Sequence, residues 1–444
     1  MIRYRPVSIF HKLFIMAYFS LPFTYALTIN IGFPLKIYEM LFIVVAILLL
    51  LSDLLNKSLS IKYLKEDRNI LYSLVWFFVF YLVSTVVGIF LIITQIVTIP
   101  DWATGRFGAV TGTMLELGYI LLNIFVFIMS LYFGREIREK LVKSWLAGAT
   151  LASLYSIYLL IYSAMGKIPY KLPGMDFHYS PAIIANILII RQGTFMEGNF
   201  MGGFVVPSLV MAVYMYESTK RRLYLLLSAL FFFSILSTVS TISILSLILF
   251  IMLYCLYKFR RIEQLTSVAF IFLLPLLIIG IIRTSFFKEV VLTKIFSTRE
   301  SNSYMADSKL ARINQAVTGL KIFCDYPISG VGPGNYGLYY NKFVYDKYYA
   351  SENIKHIPNN IYVKLLSEGG ITTFLTFILF IAFIFLKYFR YRTKGGSDGT
   401  TVLLLYGMIC IMLILMAYPT LNLTFLWAYF AIVVLSIGQN RNFA

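Results

Sequence analysis

Acidic residues, cysteine and histidine are scarce in this chain of 444 residues. Asp and Glu together number 20 against 38 Lys and Arg, and there are only 3 cysteines and 3 histidines. Charged residues make up 13% of the chain and hydrophobic residues 59%. Soluble globular domains average about 25% charged residues, so this composition excludes an ordinary water-soluble globule. The chain is predicted to be an integral membrane protein.

The same scarcity limits the kinds of site that the chain can build. Cys255 and Cys410 lie in apolar runs and Cys324 stands alone in a polar region, so neither a disulfide framework nor a zinc-ligand spacing is present. The histidines are equally scattered, as His11, His178 and His356. We therefore predict no metal site and no cofactor. His178 and His356 are candidate proton carriers, or loop histidines without a special role.

Long apolar runs recur along the whole chain, separated by short basic segments. Each run is long enough to cross about 30 Å of hydrocarbon as a helix, whose backbone polar groups are all satisfied internally. The pattern predicts an all-α fold, a polytopic membrane helical bundle of about twelve transmembrane helices. The spans are predicted near 8–30, 36–53, 70–99, 113–133, 143–165, 198–217, 222–238, 241–257, 264–282, 361–386, 401–418 and 420–438.

Residues 222–257 allow two interpretations, one long helix or a hairpin that turns at "STVSTIS". The basic clusters "KRR" and "KFRR" at the two ends favour the hairpin, because both ends then return to the cytoplasm. No small-residue cleavage site follows the first apolar run, so we expect that run to remain as a span.

Basic residues concentrate in alternate loops. Because cytoplasmic loops retain positive charge, these loops and both termini are predicted to be cytoplasmic. The same topology accounts for more than half of the basic residues, so the net charge of +18 does not indicate nucleic-acid binding. The basic segments lie before the first span and near 57–68, 135–143, 220–222, 258–261 and 387–394.

Hydrophobicity falls between residues 283 and 360, and the parity of the spans places this segment outside the cytoplasm. Its length predicts a small helical cap rather than a structureless loop. Within it, "SKLARINQAVTGLKIF" has apolar residues at helical spacing, and "DYPISGVGPGNYG" ends that helix with glycine and proline. We divide the chain into membrane helices one to nine (1–282), an extracytoplasmic cap (283–360) and membrane helices ten to twelve (361–444). A shorter outer loop is predicted near 166–197.

Ionisable residues collect on the predicted outer face. Such groups are costly near a bilayer and mark functional sites, although each one alone could be a helix-end anchor or a snorkelling side chain. Their common side favours one shared site, and the planar donors of arginine suit the oxygens of a diphosphate. These residues are Glu39, Arg106, Glu116, Arg191, Glu197, Arg283, Arg312 and Glu368.

The glycine-rich stretch "GVGPGNYG" is not interpreted as a nucleotide site. It lacks the Gly-Lys-Ser/Thr of a phosphate loop, follows a helix and faces away from the cytoplasm. A tight turn that brings the backbone close to a neighbouring helix or a ligand is the interpretation that remains.

Three motifs carry a family resemblance. They are "RQGTFMEGNFMGGF" from Arg191, "RINQAVTGLKIFCDYPISGVGPGNYG" from Arg312 and "HIPNNIYVKLLSEGGI" from His356. In this order, and on the predicted outer face, they resemble the successive motifs of the O-antigen ligase and Wzy polymerase family of bacterial inner membranes. The resemblance covers roughly residues 190–380, and the first half of the chain matches only in hydropathy.

The resemblance implies a metal-independent, inverting glycosyl transfer on the outer face of the bacterial cytoplasmic membrane, with an undecaprenyl-diphosphate-linked oligosaccharide as donor. Arg191 and Arg312 are then expected to hold the departing diphosphate. His356, Glu197 or Glu368 is expected to accept the proton of the attacking hydroxyl, with His356 favoured because a neutral imidazole needs no desolvation. The other implied substrate contacts are Gly193, Asn199, Gly202, Asn335, Asn359 and Asn360.

The same resemblance extends to partners. The glycines are expected to admit the bulky lipid head group, and membrane lipids surround the bundle. A chain-length regulator protein is a candidate partner, whereas nucleic acid is not.

Three details separate the polymerase and ligase interpretations. In the third motif, ligase members carry a histidine directly before an asparagine. Here that motif reads "HIPNN", so His356 stands three residues before Asn359. Many members also place an arginine after a serine in one outer turn. The corresponding turn of this chain reads "STVSTIS" and contains no arginine. Arg191 is followed by Gly202 at the spacing noted in Wzy polymerases. A polymerase that joins lipid-linked repeat units into O-antigen or capsular polysaccharide is therefore favoured, with transfer of glycan to lipid A-core as the alternative.

Two further classes of protein stay open. A lipid-linked oligosaccharide flippase would share the composition and the basic loops, but it would place charges along a central path and would not need a large cap. A structural partner in a glycan-export complex would be favoured if the outer arginines proved dispensable.

Overall fold

The computed structural model shows a bundle of α-helices with two short β-hairpins, which confirms the predicted all-α class. The predicted ninth span, Arg283, the start of the cap (283–303) and His178 lie outside the described residues. The described residues are 9–30, 34–56, 67–94, 96, 98–175, 181–184, 187–259, 304–350, 353–394 and 399–438.

Most of the helices follow the predicted apolar runs, but the first ends at Ser20, whereas its span was predicted to continue to about residue 30. They are α1 (Ile9–Ser20), α2 (Ile37–Asn56), α3 (Arg68–Ile93), α4 (Gly105–Ala164), α5 (Gly198–Thr219), α6 (Arg222–Ser237), α7 (Thr241–Phe259), α8 (Tyr304–Asp325), α9 (Tyr336–Phe343), α10 (Ile361–Thr393), α11 (Thr401–Ile414) and α12 (Thr424–Ser436). Single 3-10 turns lie at Asp101–Ala103, Lys347–Tyr349 and Leu415–Ala417.

The two hairpins were not predicted from the sequence. Strand β1 (Ile29–Asn30) pairs antiparallel with β2 (Pro34–Leu35) between α1 and α2. Strand β3 (Pro181–Ile184) pairs antiparallel with β4 (Ile187–Ile190), with Pro181 opposite Ile190. The second hairpin lies in the predicted outer loop and leads directly into the first motif.

Helix α4 contains two of the predicted spans joined by a tight reversal. Its 60 residues are interrupted at Ile137, which has φ −122° and ψ 15°. The hydroxyl of Tyr18 donates to Ser130 at 2.7 Å, while its ring lies 6.4 Å from the ring of Trp145. One residue cannot contact both positions on a straight helix, because 15 residues rise about 22 Å. The chain therefore folds back near Ile137, without the separate loop that the sequence predicted.

The hairpin interpretation of residues 222–257 is confirmed. Helices α6 and α7 are separated by a turn in which Val239 has φ +49°. Ser237, Thr238, Ser240 and Ser243 of this turn are buried. The turn therefore packs inside the protein.

Five of the described helices are long and apolar enough to cross a membrane, and five shorter apolar helices accompany them. The chain is therefore a multi-pass membrane protein. The number of twelve spans and the orientation of the termini stay predictions. The five long helices are α3, α4, α5, α7 and α10.

Helices α5 and α12 form the centre of the bundle. Every residue of α12 is buried, and Trp145 of α4 stacks on Phe204 of α5 with ring centroids 5.0 Å apart. Helices α5, α10 and α12 all begin at one end of the bundle, which we call the motif end. The other end, called the opposite end, contains Asp67, Arg135 and Lys387 in contact.

Candidate functional site at the motif end

The second and third motifs are joined by their backbones. Gly370 interrupts α10 with φ +69° and ψ −178°, a conformation that favours glycine. The break frees carbonyl and N–H groups of α10, and the turn after α8 pairs with them. The bonds run from Val331 N–H to Ser367 O (3.0 Å), from Gly332 N–H to Glu368 O (2.9 Å) and from Ile371 N–H to Pro327 O (2.8 Å).

The side chain of Glu368 strengthens this junction. Its Oε2 accepts a hydrogen bond from the N–H of Gly334 at 3.0 Å, and its Oε1 accepts one from the N–H of Tyr336 at 3.2 Å. The residue is 4% exposed. Both oxygens of this predicted proton acceptor are thus engaged by backbone donors, which suits a residue that positions the second motif.

The glycine-rich stretch forms the tight turn that its sequence predicted. Gly330, Gly332 and Gly334 all have positive φ, at +64°, +93° and +79°. A Cβ on Gly88 of α3 would lie 2.7 Å from the Cα of Gly332, so two glycine backbones touch where the turn meets the bundle. No larger side chain fits this contact.

Asn335 fastens the turn from the other side. Its Nδ2 donates to the carbonyl of Val331 at 3.0 Å, and its Oδ1 accepts a hydrogen bond from Thr113 at 2.9 Å. Asn335 is 2% exposed. This predicted substrate contact therefore has a structural role in joining the turn to α4.

An ion cluster lies beneath the junction. The Nζ of Lys364 is 3.2 Å from Glu116 and 3.7 Å from Glu368, and Asn422 donates to Glu116 at 2.8 Å. The cavity that these side chains border has a volume of about 10 Å³, which holds at most one water molecule. This cavity is too small for a sugar.

Sequence reasoning overlooked Lys364. A signal was present, because a lysine inside an apolar span is costly and marks a site by the same rule that selected Glu116 and Glu368. Its partner Glu116 on α4 lies in a distant part of the chain.

Two asparagines of the third motif hold the start of α10. The Oδ1 of Asn360 accepts hydrogen bonds from the N–H groups of Tyr362 (3.0 Å) and Val363 (3.3 Å), which is a helix N-cap. The Nδ2 of Asn359 donates to Gln315 of α8 at 2.9 Å. Asn360 therefore begins the helix, and Asn359 ties it to the cap.

His356 and Arg312 lie in the cap. The His356 ring stacks on Tyr340 with centroids 3.8 Å apart, and its Nε2 atom is buried. Burial raises the pKa of the Tyr340 phenol, so that ring stays neutral beside the imidazole. Arg312 is exposed on α8, three residues before Gln315.

The first motif connects β4 to α5 and packs against the "STVSTIS" turn. The Nη1 of Arg191 donates to the carbonyl of Val239 at 3.2 Å. The Oδ1 of Asn199 accepts from Ser240 at 3.0 Å, and Ser243 donates to Ser240 at 2.9 Å. The turn that lacks an arginine of its own is thus in contact with the arginine of the first motif.

The glycines of the first motif serve protein packing. Gly193 has φ +57° at the turn, and its Cβ would lie 2.8 Å from the sulfur of Met201. A Cβ on Gly202 would overlap Ser243 of α7. Protein atoms thus fill the space beside Gly193 and Gly202. A role of these glycines in admitting a lipid head group stays a prediction.

Glu197 is the carboxylate of the first motif and differs from Glu368. It stands at the N-cap of α5, partly exposed, and its side chain makes no capping hydrogen bond. Within the described part of the chain, no hydrogen bond or ion pair engages its carboxylate.

The segment between α11 and α12 connects the first motif with the ion cluster. The hydroxyl of Tyr418 donates to the carbonyl of Asn199 at 2.6 Å, and Asn422, four residues later, reaches Glu116. All three motifs therefore converge on the motif end. Residues 223–378, which include the "STVSTIS" turn and the second and third motifs, match the family model described as O-antigen ligase.

The matching family model is that of the Wzy_C domain, which residues 223–378 therefore resemble. The match confirms the resemblance predicted from the motifs and begins after the first motif. Wzy_C proteins are membrane enzymes of the glycosyltransferase type, ligases or polymerases, with lipid-linked glycans as substrates. No curated protein matches the chain significantly.

Proposed function

We propose that this Wzy_C protein is a polymerase that joins undecaprenyl-diphosphate-linked oligosaccharide repeat units on the outer face of the cytoplasmic membrane. The observation that carries the proposal is the convergence of the three motifs at one end of the bundle, with Arg191, Glu197 and Arg312 on elements that meet there. The site offers cations for a leaving diphosphate and a carboxylate for a proton.

The reaction is one displacement. A hydroxyl oxygen of the acceptor glycan attacks the anomeric carbon of the donor, and the bond from that carbon to the lipid diphosphate breaks. The diphosphate leaves with the electron pair, and the hydroxyl proton passes to a general base. Arg191 and Arg312 stabilise the charge that develops on the diphosphate, and no metal ion is required.

Glu197 is the proton acceptor in this proposal. Its carboxylate is partly exposed beside Arg191, whereas both oxygens of Glu368 are engaged and the Nε2 of His356 is buried. His356, which the sequence favoured as the proton acceptor, remains the alternative to Glu197. Glu368 acts as a positioning residue.

An apolar cavity near the first motif suits the polyprenyl chain of the donor. Its volume is about 760 Å³, and it lies between α1, α2 and the second half of α4. Thr194 of the first motif lines one edge, and the other walls include Phe19, Leu41 and Leu151. A lipid tail held there would leave its diphosphate close to Arg191.

The test is reconstitution of the purified full-length chain with lipid-linked repeat units, in the presence of a chelator. A ladder of lengthened glycans without any other acceptor supports a polymerase. Transfer that requires added lipid A-core would instead establish the ligase alternative. Movement of donor across the bilayer without lengthening would establish a transporter, and inhibition by chelator would overturn the metal-independent mechanism.

The arginines provide the residue-level test. We expect Arg191→Ala or Arg312→Ala to lower the rate about a hundredfold, since one charged contact contributes roughly 2–4 kcal/mol in the transition state. Lysine should restore only part of the rate because it lacks the bidentate fork. Arg106→Ala is the matched control, because Arg106 is an exposed arginine at the motif end that belongs to no motif. Full activity of Arg191→Ala would remove diphosphate binding from that residue.

A further inference from the structure

A basic cavity of about 540 Å³ lies at the opposite end of the bundle, away from the motifs. It is bounded by the start of α3, the reversal of α4 and the last turns of α10 and α12. Its volume is in the range of small-molecule sites, about 300–1,000 Å³. One acidic residue, Asp67, and five cations line it, the cations being Arg68, Arg135, Lys387, Arg390 and Lys394.

Asp67 forms ion pairs with two of the five cations. It is 2% exposed, and it contacts Arg135 at 3.0 Å and Lys387 at 2.5 Å. Lys387 also donates to the carbonyl of Val434 at 3.0 Å. These three charged residues tie α3, α4, α10 and α12 together and form the floor of the cavity.

The other three cations are exposed around the cavity. Within the described residues, no acidic side chain lies within ion-pair distance of Arg68, Arg390 or Lys394. The Nε of Arg68 donates to the hydroxyl of Tyr72 at 2.8 Å, which holds the guanidinium without neutralising it. Arg68, Asn69 and Ile70 are also the first residues of α3, whose free N–H groups add partial positive charge.

One wall of the same cavity is apolar. Phe383 and Leu386 of α10 face Val434, Leu435 and Ile437 at the end of α12. Leu386 remains 43% exposed. The cavity thus offers anion-binding groups and an apolar surface side by side, and an amphiphile with a negatively charged head matches both.

We propose that this cavity binds an anionic phospholipid, with the head-group phosphate on Arg68, Arg390 and Lys394 and the first part of an acyl chain along Phe383 and Leu386. Basic residues at this end are also topology signals, but that role requires only their number in a loop. It does not require them to converge on a concave surface around a buried aspartate. Basic pockets between membrane helices bind anionic head groups in this way.

The experiment uses the full-length protein, stripped of lipid in a non-ionic detergent and titrated by native mass spectrometry. The probes are phosphatidylglycerol, phosphatidylcholine with the same acyl chains, and inorganic phosphate. We expect Arg68→Gln and Arg390→Gln each to weaken phosphatidylglycerol binding about fivefold, because one cation near an anionic lipid contributes about 1 kcal/mol. Arg68→Lys and Arg390→Lys should retain binding.

Arg392→Gln is the matched control. It removes one positive charge from the same helix end, but Arg392 donates to Tyr388 and does not line the cavity. We expect it to bind phosphatidylglycerol as the wild type does. Equal binding of the two lipids, or equal weakening by Arg390→Gln and Arg392→Gln, would overturn the proposal. Inorganic phosphate that binds as tightly as phosphatidylglycerol would show a free-phosphate site instead.

Discussion

The N–H of Gly334 donates a hydrogen bond of 3.0 Å to the Oε2 of Glu368, across 34 positions of the chain. This bond joins the glycine-rich turn of the second motif to the carboxylate of the third. Lys364 then approaches the same oxygen at 3.7 Å. The position of the turn therefore depends on a buried carboxylate rather than on the turn sequence alone.

Glu368→Gln is expected to lower stability. The amide nitrogen of glutamine cannot accept a bond from Gly334 or Tyr336, and a lost hydrogen bond to a charged group costs about 1.5–3 kcal/mol. Denaturant unfolding of the purified protein in detergent measures the change. Glu197→Gln should unfold as the wild type does and should be inactive if Glu197 is the base. Equal stability of the two variants would contradict the positioning role of Glu368.

Gly88→Ala is expected to displace the glycine-rich turn. The added methyl group would lie 2.7 Å from both Asn335 Nδ2 and Gly332 Cα, and overpacking of this kind costs about 1–3 kcal/mol. Loss of thermal stability and of polymer formation should appear together. Gly112→Ala is the control, because a Cβ on Gly112 of α4 meets no atom within 4 Å. If the two alanine variants behaved alike, the contact between α3 and the turn would not matter.

The order of helices was predictable because apolar length and flanking charge are local properties. Helix α5 begins at Gly198 and α10 at Ile361, where the apolar runs begin. The sequence predicted a loop between two spans at this place, but not the break within one helix at Ile137. A polar, basic segment at 135–143 indicates a loop by hydropathy, yet its residues keep helical geometry on both sides of one break.

The sequence indicated that the three motifs share one end of the bundle, but it did not indicate what their side chains contact. The motifs indicated Glu368 as a base, since the backbone donors that engage its carboxylate cannot be seen in its own segment. Its partners lie 32 and 34 residues earlier, beyond any local pattern. Likewise, the sequence around Gly202 does not show that Ser243 occupies the adjacent space.

Lys364→Met is expected to destabilise the bundle strongly. It leaves the carboxylates of Glu116 and Glu368 together without their cation, and breaking a buried ion pair costs about 3–5 kcal/mol. Adding Glu116→Gln should recover part of the loss, because one uncompensated charge is removed. A double-mutant cycle on unfolding measures the coupling. Lys143→Met, which removes a surface pair with Glu139, should change little. Additive effects of the two cluster substitutions would contradict the coupling.

The predicted orientation can be tested with the native cysteines. Cys324 is exposed on α8 of the cap, whereas Cys255 and Cys410 are buried. If the cap is extracytoplasmic, a membrane-impermeant maleimide should label intact spheroplasts, and Cys324→Ser should abolish that labelling. The measurement is the mass of the labelled protein after purification.

A cysteine introduced at the opposite end of the bundle completes the test of orientation. Glu136 lies at the reversal of α4, its side chain is 63% exposed, and replacing it leaves every basic topology signal in place. In the Cys324→Ser background, Glu136→Cys should be labelled only after the membrane is permeabilised. Labelling of Cys324 and of Glu136→Cys from the same side would contradict the parity of the spans, since the two residues lie at opposite ends of the bundle. The cap and the candidate site would then need a different assignment of sides.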